Sequence, residues 1–282
     1  MARTKNLKQS LFLVAFCIAL AIPSSAAGQD LATQVGSITG DAAVGKEHYR
    51  RFCIGCHGER GDGKGENATF VVGPYNGFQY SSPLPRNFTL GLFKCRSTPS
   101  GTLPLDSDLY DTIGRGIFTT YMPPWRSLTP KARVDLIAYV KTFSPRFKDE
   151  KPGDPIKIPP ETSDTPESRE RGKTLYLKTL KCFECHGNEG HGDGPSASSL
   201  RDNLGNPIPP FDFTEGTRFK CGTTNEDLFR IFMTGLDGTP MPSWADFVDA
   251  NQAWDLVHYL RTLMVHYHPK NAEAKQPKSK KG

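Results

Sequence analysis

Apolar residues are spread unevenly along this chain. Leu11 to Ile22 is a continuous apolar run, after which short amphipathic stretches alternate with long segments rich in glycine and proline. From Asp41, the residues Val44, His48 and Phe52 share a face at i, i+4 and i+8, which predicts a helix that Asp41 caps and that runs into Cys53. A closing helix is predicted from Thr129-Pro130, a cap followed by proline at the first helical position, with Val134, Ile137 and Tyr139 as its apolar contacts. Gly45 and Gly172 fall inside predicted helices, where glycine costs about 1 kcal/mol relative to alanine, so each marks a close packing contact. The intervening stretches show no alternation typical of strands. The pattern is all-α with long loops.

The pattern also repeats. "RFCIGCHGERGDG" (Arg51 to Gly63) returns as "LKCFECHGNEGHGDG" (Leu180 to Gly194). Asn87-Phe88-Thr89 then matches Asp212-Phe213-Thr214, and Phe93-Lys94-Cys95 matches Phe219-Lys220-Cys221. Asp108-Leu109 matches Asp227-Leu228, Met122-Pro123 matches Met241-Pro242, and Trp125 matches Trp244. Last, "DLIAYVKTF" (Asp135 to Phe143) matches "DLVHYLRTL" (Asp255 to Leu263). One order of matches in both halves identifies a duplicated domain. The segment between them carries six prolines and many charges, and predicts an extended, polyproline-like connector.

Composition sharpens this picture. Hydrophobic residues make up only 37% of the 282, against 27 glycines and 23 prolines, so each half needs something besides hydrocarbon to pack around. Arg3, Lys5 and Lys8, the apolar run and then Pro23-Ser24-Ser25-Ala26-Ala27 predict an export signal that is cleaved, the rival reading being an uncleaved N-terminal anchor. Cys17 would leave with it, and no later segment is apolar enough to cross a membrane. Loss of the signal takes the formal charge from +5 to about +2, too mild to argue for nucleic acid. The remaining basic bias sits in a polar tail with Lys270, Lys275, Lys278, Lys280 and Lys281, which predicts a solvated, disordered end.

The CxxCH strings carry the chemistry. Cys53 and Cys56, like Cys182 and Cys185, place two sulfurs on one side of a tight turn, where they can form thioethers with the vinyl groups of one haem. The following histidine, His57 or His186, then lies under the iron as an axial ligand. A zinc site would need further ligands at suitable spacing, and a thioredoxin-like pair would need a βαβ context that is absent. Two haem c groups are therefore expected. Met122 and Met241 occupy matched late positions and are the candidate sixth ligands, whereas Met233 and Met264 read as packing residues. His191, His258, His266 and His268 lack matched partners and read as surface or packing residues. Cys95 and Cys221 stand at equivalent positions with three readings open: a disulfide, a pair of buried thiols, or replacement of a methionine on iron. Arg86, Lys94, Arg96, Arg218 and Lys220 are candidates to pair with haem propionates.

CxxCH after a helix, a downstream Met-Pro and a closing "DLxxYx[KR]T" helix resemble class I cytochrome c domains, and the tandem layout resembles the di-haem bacterial cytochromes c. The resemblance implies an all-α fold in each half, with first and closing helices crossing at Gly45/Tyr139 and Gly172/Tyr259. It also implies a proline carbonyl accepting a hydrogen bond from each proximal histidine, with Pro85 and Pro210 the matched candidates. The "NFT…FKC" and "DFT…FKC" insertions resemble segments of cytochromes that serve larger oxidoreductase complexes. The expected layout is a signal peptide (1–27), a lead (28–40), a first cytochrome c domain (41–143), a linker (144–166), a second domain (167–268) and the tail (269–282). The expected function is electron transfer in the periplasm between donor and acceptor proteins, including subunits of a larger complex. The alternative is a di-haem enzyme of peroxidase or thiosulfate-oxidising type, with one open or Cys-ligated haem.

Overall fold

The computed structural model describes residues 32–68, 84–118, 120–216 and 218–264. The export signal, the basic tail, His266 and His268 lie outside them. A two-residue antiparallel pair, β1 (Gln34–Val35) and β2 (Ile38–Thr39), precedes the first half. Helix α1 (Ala42–Phe52) leads into the single turn α2 (Ile54–His57), followed by α3 (Asp106–Arg115) and α4 (Pro130–Lys141). The second half mirrors this with α6 (Pro166–Thr174), α7 (Phe183–His186), α8 (Asn225–Thr234) and α9 (Ala250–Leu263). Helix dominates and strand is almost absent, as the hydrophobic pattern predicts.

Capping follows the predicted chemistry. The Asp41 carboxylate accepts from the backbone N–H groups of Ala43 and Val44, and the Thr129 hydroxyl accepts from that of Ala132 at 3.2 Å. The inward face of α1 is nevertheless not the one carrying Val44, which is 43% exposed. Gly45 and Tyr49 face inward instead, because only glycine lets α1 lie directly on α4: a Cβ there would overlap the Asp135 carbonyl oxygen. Gly172 meets the Asp255 carbonyl in the same way, with Tyr259 beside it. Both helix pairs therefore cross where the resemblance placed them.

Two cores result. Tyr49, Phe93, Leu103, Leu136, Ile137 and Phe147 are central to the first. Trp254, Phe229, Leu256, Leu260 and Tyr176 are central to the second and larger one. The connector differs from the expected open spacer. Its first residues form a one-turn helix, α5 (Arg146–Asp149), because Phe147 fills a gap in the first core. Beyond α5 the chain is extended but held: Ile156 N–H donates to the Ser97 carbonyl at 2.8 Å, and Ile158 packs on the second core. The buried His258 ring completes the tether, meeting Ser168 Oγ at 2.9 Å and Glu161 at 3.3 Å.

The halves are also joined side to side. Cys95 and Cys221 form a disulfide with Cα atoms 5.2 Å apart, which leaves neither sulfur free for other chemistry. Arg96, with a fully buried side chain, crosses to the second half and reaches the Thr234 carbonyl at 2.5 Å and Asp237 at 2.8 Å. Asp237 also accepts from Ser100 Oγ and Gly101 N–H, so a single loop of the first half docks on the turn after α8.

Substituting Gly172→Ala should destabilise the holoprotein by about 3 kcal/mol, the upper end for overpacking, because the opposing atom is a helix carbonyl that cannot turn aside. Val44→Ala should stay within about 0.5 kcal/mol. Guanidinium unfolding followed by far-UV circular dichroism distinguishes the two.

Candidate metal centres

Each CxxCH turn is held by the same hydrogen bonds. In the first half, His57 N–H donates to the Cys53 carbonyl at 2.9 Å and Gly63 N–H returns to the His57 carbonyl at 2.9 Å. In the second, His186 N–H donates to Cys182 and Gly192 N–H to His186 at 2.9 and 2.8 Å. Gly58 and Gly187, both at φ 79°, reverse the chain after the histidine. Buried tyrosine hydroxyls pin those reversals, Tyr49 to the Gly58 carbonyl at 2.7 Å and Tyr176 to the Gly187 carbonyl at 2.6 Å.

The tyrosines are functional residues that the sequence comparison missed. Tyr49 stands four residues before Cys53, but Tyr176 stands six before Cys182. The two extra residues are absorbed by a π-helical stretch at Leu175–Thr179 and by Lys181 at φ 52°. In both halves the tyrosine carbonyl still receives the N–H of the first cysteine at 2.8 Å, so the turn is presented identically.

The histidine rings are similarly fixed. His57 Nδ1 lies 3.2 Å from the Arg86 carbonyl and His186 Nδ1 lies 3.0 Å from the Phe211 carbonyl. These acceptors are one residue beyond the expected Pro85 and Pro210. Each proline carbonyl instead lies near a glycine of the Gly-Asp-Gly turn, Gly63 or Gly192. A carbonyl at Nδ1 makes that nitrogen the donor and leaves Nε2 with a lone pair. Burial pushes His57 down to about 4, against the opposing Arg86 carbonyl bond, and burial lowers His186 as well, so both imidazoles stay neutral. Phe88 and Phe213 pack on the rings, with centroids 4.5 and 4.9 Å away.

The methionine loops are built from one template. Gly116 (φ 72°) and Gly235 (φ 67°) end α3 and α8, and a Cβ on either would lie 2.6–2.7 Å from backbone of the Met-Pro segment. Ile117 N–H then closes on the Met122 carbonyl, and Leu236 N–H on the Met241 carbonyl, each at 3.1 Å. Trp125 N–H reaches the Ile113 carbonyl at 3.0 Å and Trp244 N–H the Phe232 carbonyl at 2.8 Å, which ties each loop back to its helix.

These parts converge on two mostly apolar cavities. Cys53, Cys56, His57 and Met122 line one of about 180 Å³, and Cys182, Cys185, His186 and Met241 line one of about 340 Å³. Met233 and Met264 pack in the second core instead, and His191 lies half-exposed near Glu189 and Asp212. Of the basic candidates, Arg96 is occupied by Asp237, and the Arg218 guanidinium lies over the Phe118 ring at 4.3 Å. Arg86, Lys94 and Lys220 remain on the cavity walls. Burial and then the neighbouring Arg86 charge push Lys220 down to about 8; burial, Arg86 and Lys220 push Lys94 to about 6. Trp244 Nε1 and Thr112 Oγ1, on residues that line the cavities, are buried without hydrogen-bond partners among the described residues.

Paired cysteines beside a neutral histidine, apolar walls, unsatisfied donors and basic side chains without an ion-pair partner among the described residues suit a flat, apolar, dianionic macrocycle that binds iron. The family model described as cytochrome c oxidase, cbb3-type, subunit III matches residues 40–140 and 167–260. The chain belongs to this cytochrome c family. It comprises two tandem cytochrome c domains and carries two haem c groups. A solved structure described as the Kuenenia stuttgartiensis reducing HAO-like protein complex Kustc0457/Kustc0458 contains a similar chain. That chain is 40% identical, with a TM-score of 0.74, and the match covers 82% of this cytochrome and 98% of its relative. Among curated proteins, none matches this sequence. Among the described residues, no helix of the cytochrome is long and apolar enough to cross a membrane.

Removing the Tyr176 hydroxyl strands the Gly187 carbonyl, so Tyr176→Phe should cost the cytochrome about 1–3 kcal/mol. Tyr139, partly buried at the first helix crossing with no hydrogen bond from its hydroxyl among the described residues, should tolerate the same change with about 0.5 kcal/mol or less. Parallel chemical denaturation of both variants tests the assignment.

Proposed function

We propose that this cytochrome is an exported electron carrier whose irons are ligated by His57 and Met122 in the first domain and by His186 and Met241 in the second. Cys53, Cys56, Cys182 and Cys185 would hold the haems as thioethers. The observation that carries the reading is the matched placement in each cavity of a buried neutral histidine and a methionine loop fixed by glycine and tryptophan. Haem iron supplies a one-electron couple, and the protein sets its potential and excludes solvent. Thioether ligation favours the ferrous state relative to a second histidine and so raises the potential.

With both axial positions filled, no substrate reaches iron, and the cytochrome acts by passing electrons between proteins in the periplasm. The engagement of Cys95 and Cys221 with each other supports this reading over an enzyme with a thiolate-ligated haem. The relative found in a reducing HAO-like protein complex supports an oxidoreductase as the partner, with this chain as its electron-carrying subunit.

Purified holoprotein should show two low-spin haems per chain, with spectra unchanged by brief exposure to cyanide. A high-spin fraction that binds cyanide quickly would point to an enzyme instead. Met122→His and Met241→His should each lower the midpoint potential of one haem and leave the other nearly unmoved, as read by spectroelectrochemical titration.

A further inference from the structure

Three basic side chains meet where the two domains join, and a carboxylate brought to them would favour their charged forms. Lys94 and Lys220 each stand directly before a cysteine of the interdomain disulfide, and Cys95 Sγ lies 3.7 Å from the Lys220 carbonyl oxygen. Arg86 reaches the same seam from the first domain, since a Cβ on Gly238 would lie 3.0 Å from its guanidinium. Among the described residues none of the three forms an ion pair. Asp202 and Asp237 favour the charged form of Arg86 through space, and Asp202 that of Lys94, but Asp237 makes its ion pair with Arg96 and Asp202 accepts from the N–H groups of Leu204 and Asn206.

Their position relative to the cavities is asymmetric. Arg86, Lys94 and Lys220 all line the first cavity, but Lys220 lines the second as well. Among the described residues the only other lysine or arginine on the second cavity's wall is Lys181, which is 62% exposed, lies 3.9 Å from Glu184 and directly precedes Cys182 on the thioether side. Each haem brings two carboxylates, and a buried carboxylate is costly unless paired. Among the described residues, the one half-buried lysine or arginine of the second cavity without an acidic partner is Lys220.

We propose that Lys220 is a shared clamp for the propionates of both haems, completed on the first side by Arg86 and Lys94, so that the two irons are electrostatically coupled through the domain seam. The inference rests on the haem placement proposed above. The disulfide keeps Lys220 at the junction of both cavities. A charge change at either iron is then felt at the other, and that coupling is reciprocal.

Lys220→Gln removes one positive charge from both sites. It should lower both midpoint potentials, raising the ferric-to-ferrous ratio of each haem about threefold or more at fixed potential, where tenfold is 59 mV for one electron. Lys220→Arg should leave both near the wild-type values, and Lys94→Gln should move the first haem more than the second. A Lys220→Gln shift confined to one haem, or no shift, overturns the shared clamp. Should that variant fail to assemble, resonance Raman of the wild-type protein provides an independent readout. Hydrogen-bonded propionate bending modes at both haems are expected, and solvated ones at either overturn the proposal. Electron paramagnetic resonance on the same samples reports the axial ligands separately, so a wrong methionine assignment is distinguishable from a wrong clamp.

Discussion

The near-contact of two helices at a glycine governs the rest of each domain. Gly45 on the Asp135 carbonyl, and Gly172 on the Asp255 carbonyl, set the first helix so close to the closing helix that the next inward residue, Tyr49 or Tyr176, is driven to the base of the CxxCH turn. Its hydroxyl then fixes the reversing glycine, and the reversal sets the histidine. A larger residue at the crossing would displace the whole series, because helix carbonyls do not yield as side chains do.

The second constraint is how little hydrocarbon each domain contributes. The first core is smaller than the second and recruits Phe147 from the connector, while Cys95, a residue of the first domain, packs within the second core. Covalently held haem supplies the missing apolar surface, which explains why walls built from Met-Pro loops and glycine turns suffice. Directional bonds hold the interface between the domains: a disulfide, a buried Arg96–Asp237 pair and the hydrogen bonds around it.

Function follows from this division of labour. The helix crossings place neutral imidazoles, the glycine-hinged loops place the methionines, and the seam gathers basic residues from both domains. Rigid ligation suits electron transfer because little then rearranges when the iron changes charge.

By itself the sequence determined the duplication, the helical class, the helix crossings and the identity of the cysteine, histidine and methionine candidates. Those features depend on local spacing and on residue chemistry, which repeat legibly in "CxxCH", "MP" and "DLxxY". The tertiary structure showed that Val44, which apolar periodicity puts on the packing face, turns outward, because the close approach that Gly45 marks governs and the opposing carbonyl leaves room only for glycine. It also moved the histidine's acceptor from Pro85 and Pro210 to Arg86 and Phe211, and matched Tyr176 to Tyr49 across a π-helical insertion that shifts the register. The disulfide was one of three open readings for Cys95 and Cys221, and the sorting of five basic residues into engaged and free ones was not legible at all. Both depend on how one domain lies against the other, and no local pattern encodes the distance between residues more than a hundred positions apart.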